Sequence, residues 1–158
     1  MNRYTIAPDF VEMAAENTYY LLNVLIVFAQ DNRFKLCMDN KDMAYKCYES
    51  IVKRHDSIRF WMSLLNNSSR NIEKIKLKSG KYSDSQDLFL AIADAVVPNK
   101  RLITGDKSLF SEKQNFINNH GVNIIDGDEA KDYLQRAYVN ITMGDNSPII
   151  NGNNNKIE

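Results

Sequence analysis

The chain has 158 residues, with 20 basic and 20 acidic side chains, so its formal net charge is zero. This length suits one compact domain with a tail. Its 25% charged and 44% hydrophobic residues are typical of a soluble globular protein and exclude wholesale disorder, a collagen-like architecture and a disulfide scaffold. The zero charge also excludes a globally basic nucleic-acid binder, so any such function must depend on a local patch.

Few residues point to thiol, histidine or membrane chemistry. Cys37 and Cys47 lie in apolar surroundings, which predicts two reduced, buried thiols. The two histidines, His55 and His120, are far apart in sequence, which argues against a Ser-His-Asp triad. The longest apolar stretch, residues 19–29, is too short to span a bilayer, and the acids before it are unlike a signal peptide. We therefore predict a cytoplasmic protein without a membrane partner.

The first half of the chain is mainly helical in pattern, because its apolar residues recur at three- and four-residue spacing. Helices are predicted over residues 10–30, 40–54 and 58–65, and a short strand over residues 34–38 that ends at Asp39. Because the first helix precedes this strand, residues 1–32 are interpreted as an N-terminal helical extension.

The second half alternates between strands and helices. Strands are predicted over residues 72–77, 101–104 and 122–125, and helices over residues 83–97, 109–119 and 126–138. Ser83 with Gln86, and Asp126 with Glu129, have the spacing of helix capping boxes. The alternation predicts an α/β domain over residues 33–139, a three-layer α/β/α fold with a mainly parallel central sheet. In such sheets the site lies beyond the carboxyl ends of the strands.

Three aspartates are predicted to meet at that edge. Asp39 and Asp106 each follow a strand, and Asp87 lies at the start of a helix. Converging carboxylates repel one another and have raised pKa values unless a cation joins them. All-oxygen clusters suit Mg²⁺ or Mn²⁺, which activate water and stabilise phosphoryl transfer. The alternative for each residue is a structural role as a helix cap or turn residue.

The segment DLFLAIADAVVPNKRLITGDKSLF, residues 87–110, resembles the PIN domain, a family of metal-dependent nucleases. That family has an Asp, an Ala-rich helix, a strand and a Thr-x-Asp turn about twenty residues later. Here 19 residues separate Asp87 from Asp106 (106 − 87), and Thr104 and Asp106 form the turn. FKLCMD resembles the family's first strand and first acid, and HGVNIIDGDEAKDYL resembles its last strand and helix. The resemblance covers about residues 33–136.

The resemblance implies a catalytic, metal-binding set for Mg²⁺ or Mn²⁺ made of Asp39, Glu49, Asp87 and Asp106, with Thr104 orienting the substrate. Glu49 is chosen as the fourth acid of that set, and its alternative is pairing with Lys46 on the surface. Other candidates for the fourth acid are Asp42, Asp56, Asp84 and Asp94.

The zero net charge hides a basic stretch. Residues 70–81 have a net charge of +4, from one Glu and five cations, Arg70, Lys74, Lys76, Lys78 and Lys81. These side chains are a candidate track for nucleic-acid phosphates. The alternative is a solvated edge strand on which lysines block pairing with other chains.

The last residues differ in composition from the rest. ITMGDNSPIINGNNNKIE, residues 141–158, contains an imperfect Gly/Asn-rich repeat followed by isoleucines. This tail, taken as residues 140–158, resembles the β-solenoid or amyloid-signalling motifs that couple effector domains to sensor proteins. A disordered polar tail is the alternative. The resemblance implies a sensor or antitoxin partner and a homo-oligomer.

Together these features predict a metal-dependent endoribonuclease that hydrolyses single-stranded or structured RNA, acting as a toxin or antiphage effector. DNA stays open as a substrate, because no residue identifiably recognises a 2′-hydroxyl. The alternatives are a non-catalytic PIN-like module that binds RNA or protein, and an assembly adaptor that acts through the tail.

Overall fold

A computed structural model describes residues 2–78 and 81–145, with side chains described as far as residue 137. The fold is α/β, as predicted: five parallel strands form one central sheet flanked by helices. The strands are β1 (Asn2–Ile6), β2 (Phe34–Asp39), β3 (Ile72–Ile75), β4 (Lys100–Ile103) and β5 (Val122–Ile125).

Helices occupy most of the connections between strands. They are α1 (Pro8–Ala15), α2 (Thr18–Tyr20), α3 (Ile26–Gln30), α4 (Met43–Val52), α5 (Asp56–Asn67), α6 (Ser85–Ala95), α7 (Lys107–Ser111), α8 (Lys113–His120) and α9 (Gly127–Asp145), with a π-helical turn at Leu21–Leu25 and a 3₁₀ turn at Ser69–Asn71. In the described part of the chain no helix is both long and apolar enough to cross a bilayer.

One of the two predicted capping boxes is confirmed. The amide of Glu129 donates to the Asp126 carboxylate at 2.8 Å, and the amide of Asp126 donates back to Glu129 at 3.3 Å. At α6 the prediction was wrong by one residue, because Asp84 and not Ser83 is the cap. A carboxylate at this position also interacts favourably with the helix dipole.

The strand order is β3-β2-β1-β4-β5, so β1 lies at the centre of the sheet. Its first residues pair with β2, where Asn2 lies opposite Phe34, and its last residues pair with β4, where Ile6 lies opposite Ile103. Residues 2–6 are therefore part of the sheet, which corrects the interpretation of residues 1–32 as a helical extension. The strand is only five residues long and begins with polar side chains, so hydrophobic periodicity does not reveal it.

The position of β1 creates a topological switch point. The chain continues to one side of β1 through β2 and β3, then returns to the other side through β4 and β5. Loops that leave β1 and β4 diverge at the carboxyl edge, and the crevice between them is where doubly wound sheets bind ligands.

A buried aromatic cluster connects this sheet to its helices. The Tyr48 ring of α4 lies 5.6 Å from Trp61 and 5.7 Å from Phe89, centroid to centroid. The Tyr48 hydroxyl donates to the Ile6 carbonyl at the end of β1, at 2.6 Å, and the Trp61 indole donates to the Leu25 carbonyl at 2.8 Å. Burial raises the pKa of Tyr48 well above its usual value, so its hydroxyl stays a donor.

Replacing Tyr48 by Phe is expected to lower the free energy of unfolding by about 1–3 kcal/mol, because the buried Ile6 carbonyl loses its donor. Urea denaturation measures this loss. The control is Tyr45→Phe on the same helix, whose hydroxyl accepts an exposed hydrogen bond from Asn66. Equal losses in the two variants would contradict the role assigned to Tyr48.

Candidate active site

The acid nearest the switch point is Asp9, at the start of α1 directly after β1. Its two carboxylate oxygens each accept from the Thr104 hydroxyl at 2.9 Å, and one also accepts from the Gly105 amide at 3.2 Å. Thr104 is fully buried, whereas Asp9 is exposed. Hydrogen bonds thus connect Asp9, which follows β1, to Thr104, which follows β4, across the crevice.

The Thr104–Asp106 turn adds a second carboxylate. The Asp106 amide donates to the Thr104 hydroxyl at 3.1 Å. The Ser108 amide and hydroxyl both donate to Oδ1 of Asp106, at 2.8 and 2.7 Å. These Ser108 bonds lower the pKa of Asp106, which keeps the carboxylate ionised.

Asp87 reaches the same edge from the first turn of α6. Helix α6 runs back along the sheet before β4, so its N-terminus lies at the carboxyl edge. The Asp87 amide donates to the Asp84 carboxylate at 2.8 Å, and the Ser83 hydroxyl bonds to the Asp87 carboxylate. Ser85, two residues before Asp87, lines a groove between α1 and α4 that also includes Asp9.

The structure does not place Asp39 in this groove. Asp39 ends β2 and is 1% exposed, and its carboxylate accepts from the amides of Lys41 (3.1 Å), Met43 (3.0 Å) and Ala44 (2.7 Å). The side chain therefore holds the start of α4, which is the capping role given as its alternative. A strand-end position alone does not distinguish a ligand from a cap, because both place a carboxylate at the sheet edge.

Glu49 also lies outside the groove. It is exposed on α4, and the residues of that helix that line the groove are Cys47, Ser50 and Ile51. At 100° per residue, Glu49 is turned about 200° away from Cys47. None of the four predicted acids lines the groove. Asp39, Asp87 and Asp106 lie at the carboxyl edge, where β2 ends, α6 begins and β4 is followed by α7, whereas Glu49 is exposed on α4.

A groove of about 720 Å³ runs from Asp9 between α1 and α4. Its polar lining comes from Asp9 and Glu12 on α1 with Glu16 at the C-cap of that helix, from Cys47 and Ser50 on α4 with Arg54 beyond it, and from Ser85. Burial and the charge of Asp39 raise the pKa of Cys47, so this side chain is a neutral thiol. The α1 acids were not selected from the sequence, although their spacing of three and four residues places them on one helix face.

The donor chemistry of the edge fits a hard divalent cation. Among the residues that the structure describes, no three His, Cys, Asp or Glu side chains are grouped to hold a metal ion. Mg²⁺ is commonly bound through only one or two carboxylates, with water and substrate phosphate as its remaining ligands. Thr104 connects Asp9 to Asp106, because its hydroxyl donates to the Asp9 carboxylate and accepts from the Asp106 amide.

The basic stretch follows an edge strand. Lys74, Lys76 and Lys78 are exposed at every second residue along and beyond β3, while Lys74 pairs with Asp42 at 2.5 Å. The exposed Arg70 donates to Asn32 at 3.2 Å, and Lys81 is exposed. Because β3 is parallel to β1, its carboxyl end reaches the same edge as Asp9. This position agrees with both the phosphate-track and the edge-protection interpretation.

The prediction for the C-terminal tail falls largely outside the described residues. Helix α9 continues to Asp145, beyond the predicted end at residue 138, and residues 146–158 are not described.

Comparison of the chain with protein-family models, with curated proteins and with solved structures finds no match. The resemblance to the PIN domain therefore stays a prediction that depends on the residues themselves.

Replacing Asp39 by Ala is expected to lower the free energy of unfolding by about 2–4 kcal/mol, because three amides at the start of α4 lose their acceptor. Asp39→Asn keeps one acceptor oxygen and is expected to lose less. Chemical denaturation measures both changes, with the exposed Asp56→Ala as the control. An unchanged stability in Asp39→Ala would contradict the capping role.

Proposed function

We propose that this protein is a PIN-like ribonuclease that uses Mg²⁺ or Mn²⁺ to hydrolyse phosphodiester bonds in single-stranded or structured RNA. The observation that carries the proposal is the hydrogen-bonded link between Asp9 and Thr104 at the switch point. The resemblance to the family calls for an acid after the first strand and a Thr-x-Asp turn after a later one. With β1 as the first strand, Asp9 takes the role that the sequence pattern assigned to Asp39.

The proposed roles follow from what each side chain contacts. Asp9 and Asp106 hold the metal, and the buried Thr104 hydroxyl fixes the orientation of the Asp9 carboxylate. Ser108 keeps Asp106 ionised, and Asp87 adds negative charge from the start of α6. When bound, the divalent ion supplies a water of lowered pKa and stabilises the charge that develops on the phosphate.

The charge distribution supports a polyanionic substrate at this edge. Lys76, Lys78 and Lys81 are exposed where β3 ends, and Lys107 is exposed directly after Asp106. Such side chains bind phosphates without reading sequence and position the strand relative to the acids. The acids concentrate the cation while the lysines contact the phosphates that flank the cleaved one.

A non-catalytic RNA-binding module is the second candidate. It is favoured by the state of Asp39, an acid of the predicted set whose carboxylate accepts from three backbone amides. The same lysines serve such a module, which binds RNA without cleaving it. The effector role, with a sensor or antitoxin partner and a homo-oligomer, rests on the resemblance of the tail and is part of the proposal. The proposed cytoplasmic location rests on the short apolar stretch at residues 19–29 and on the acids that precede it.

Asp9→Asn and Asp106→Asn are expected to abolish Mn²⁺-dependent cleavage of labelled single-stranded RNA, because each loses a carboxylate that holds the metal. Parallel reactions on single-stranded DNA decide the substrate, and addition of EDTA must stop cleavage by the wild type.

Glu49→Gln is the matched control for these variants, since it removes one negative charge outside the groove and is expected to retain activity. Loss of activity in Glu49→Gln with full activity in Asp9→Asn would contradict the role of Asp9. It would favour the catalytic set predicted from the sequence, which is Asp39, Glu49, Asp87 and Asp106. Binding of RNA without cleavage by the wild type would favour the non-catalytic module.

Thr104→Val is expected to weaken metal-dependent activity by about 10- to 100-fold, because the orienting donor to Asp9 is lost. Thr104→Ser keeps the hydroxyl and is expected to retain most of the activity. Titration with Mn²⁺ separates the causes, since a positioning role for Thr104 raises the metal concentration needed for half-maximal rate. An equal loss in both variants would point to packing instead.

A further inference from the structure

An ion pair between Arg54 and Glu12 lies in the lining of the groove beside Asp9. Both terminal nitrogens of Arg54 donate to Glu12, one to each carboxylate oxygen, at 2.7 Å. The Arg54 side chain is 55% exposed and that of Glu12 is 36% exposed. The pair joins α1 to the residue two positions past the end of α4 and is open to solvent.

Arg54 differs in the sign of its charge from the other charged residues of the groove lining. Within the described residues it is the one cationic side chain that lines the groove, whereas Asp9, Glu12 and Glu16 are all acidic. A phosphate that enters beside Asp9 therefore meets a single guanidinium, which is already occupied by a carboxylate.

Carboxylate and phosphate present similar pairs of oxygens to the guanidinium fork. Glu12 follows Asp9 by three residues, which is about 4.5 Å along the axis of α1. A phosphate held by Arg54 would thus lie about one helical turn from the carboxylate that carries the proposed chemistry. An exposed ion pair of this kind is weak enough for a polyanion to displace.

We infer that Arg54 is the phosphate-binding residue of the groove, that it holds the RNA phosphate next to the cleaved one, and that Glu12 occupies it until RNA displaces the carboxylate. This inference rests on the proposed function and specifies its substrate as a chain with at least two phosphates. It also assigns Glu12 a restraining role, because the ion pair must open before RNA binds.

The test is the affinity of a fluorescein-labelled oligouridine, measured by fluorescence anisotropy in EDTA. Arg54→Gln is expected to weaken binding about tenfold, since it removes a charge-assisted contact to phosphate. Glu12→Gln is expected to strengthen binding about two- to fivefold, because the competing carboxylate is gone while the shape of the side chain is kept. In the double variant the gain from Glu12→Gln is expected to disappear.

Glu16→Gln is the matched control, since it removes the same charge from the same groove one turn further along α1. The inference is overturned if Glu12→Gln gains no more than Glu16→Gln, or keeps its gain without Arg54. Thermal melts of all variants check that the exposed pair is not needed for folding. Because anisotropy in EDTA records binding alone, a failure here and an absence of RNA cleavage are separate outcomes.

Discussion

The central placement of β1 is the constraint on which the rest of the structure depends. Neighbouring strands cover both edges of β1 and helices cover both faces of the parallel sheet, so Tyr4, Thr5 and Ile6 are buried. Because β2 and β4 flank it in parallel, the loops after β1 and β4 diverge at one edge and leave a crevice. The contact between Asp9 and Thr104 exists only because these two strands are neighbours.

Burial separates two aspartates that look alike in the sequence. Asp39 ends β2 shortly before α4, and Asp9 lies in the first turn of α1 shortly after β1. The Asp39 carboxylate is buried and accepts hydrogen bonds from three backbone amides. These bonds compensate the free-energy cost of removing the carboxylate from water. Asp9 is exposed and is oriented by one hydroxyl and one amide, so it remains accessible to a ligand from solution. The difference lies in the surroundings of each carboxylate and not in its position along the chain.

The zero net charge is divided between two neighbouring regions of the surface. The groove wall formed by α1 carries three acids, while the lysines beyond β3 provide cations at the same sheet edge. Carboxylates attract a divalent ion but repel phosphate, so a site for a polyanion needs both kinds of charge in separate places. Within the described part of the chain, Arg54 and Glu12 are the pair of opposite charges that meet in the groove lining.

The sequence by itself determined the alternation of strands and helices, the parallel sheet, the β5 strand and the cap of α9, because these follow from local periodicity and capping chemistry. It also predicted Asp39, Asp87 and Asp106 at the carboxyl edge of the sheet. Only the tertiary structure revealed β1, the strand order and the place of Asp9. The physical reason is that a short central strand is stabilised by its neighbours, and which carboxylates meet depends on strand order, which local sequence does not encode.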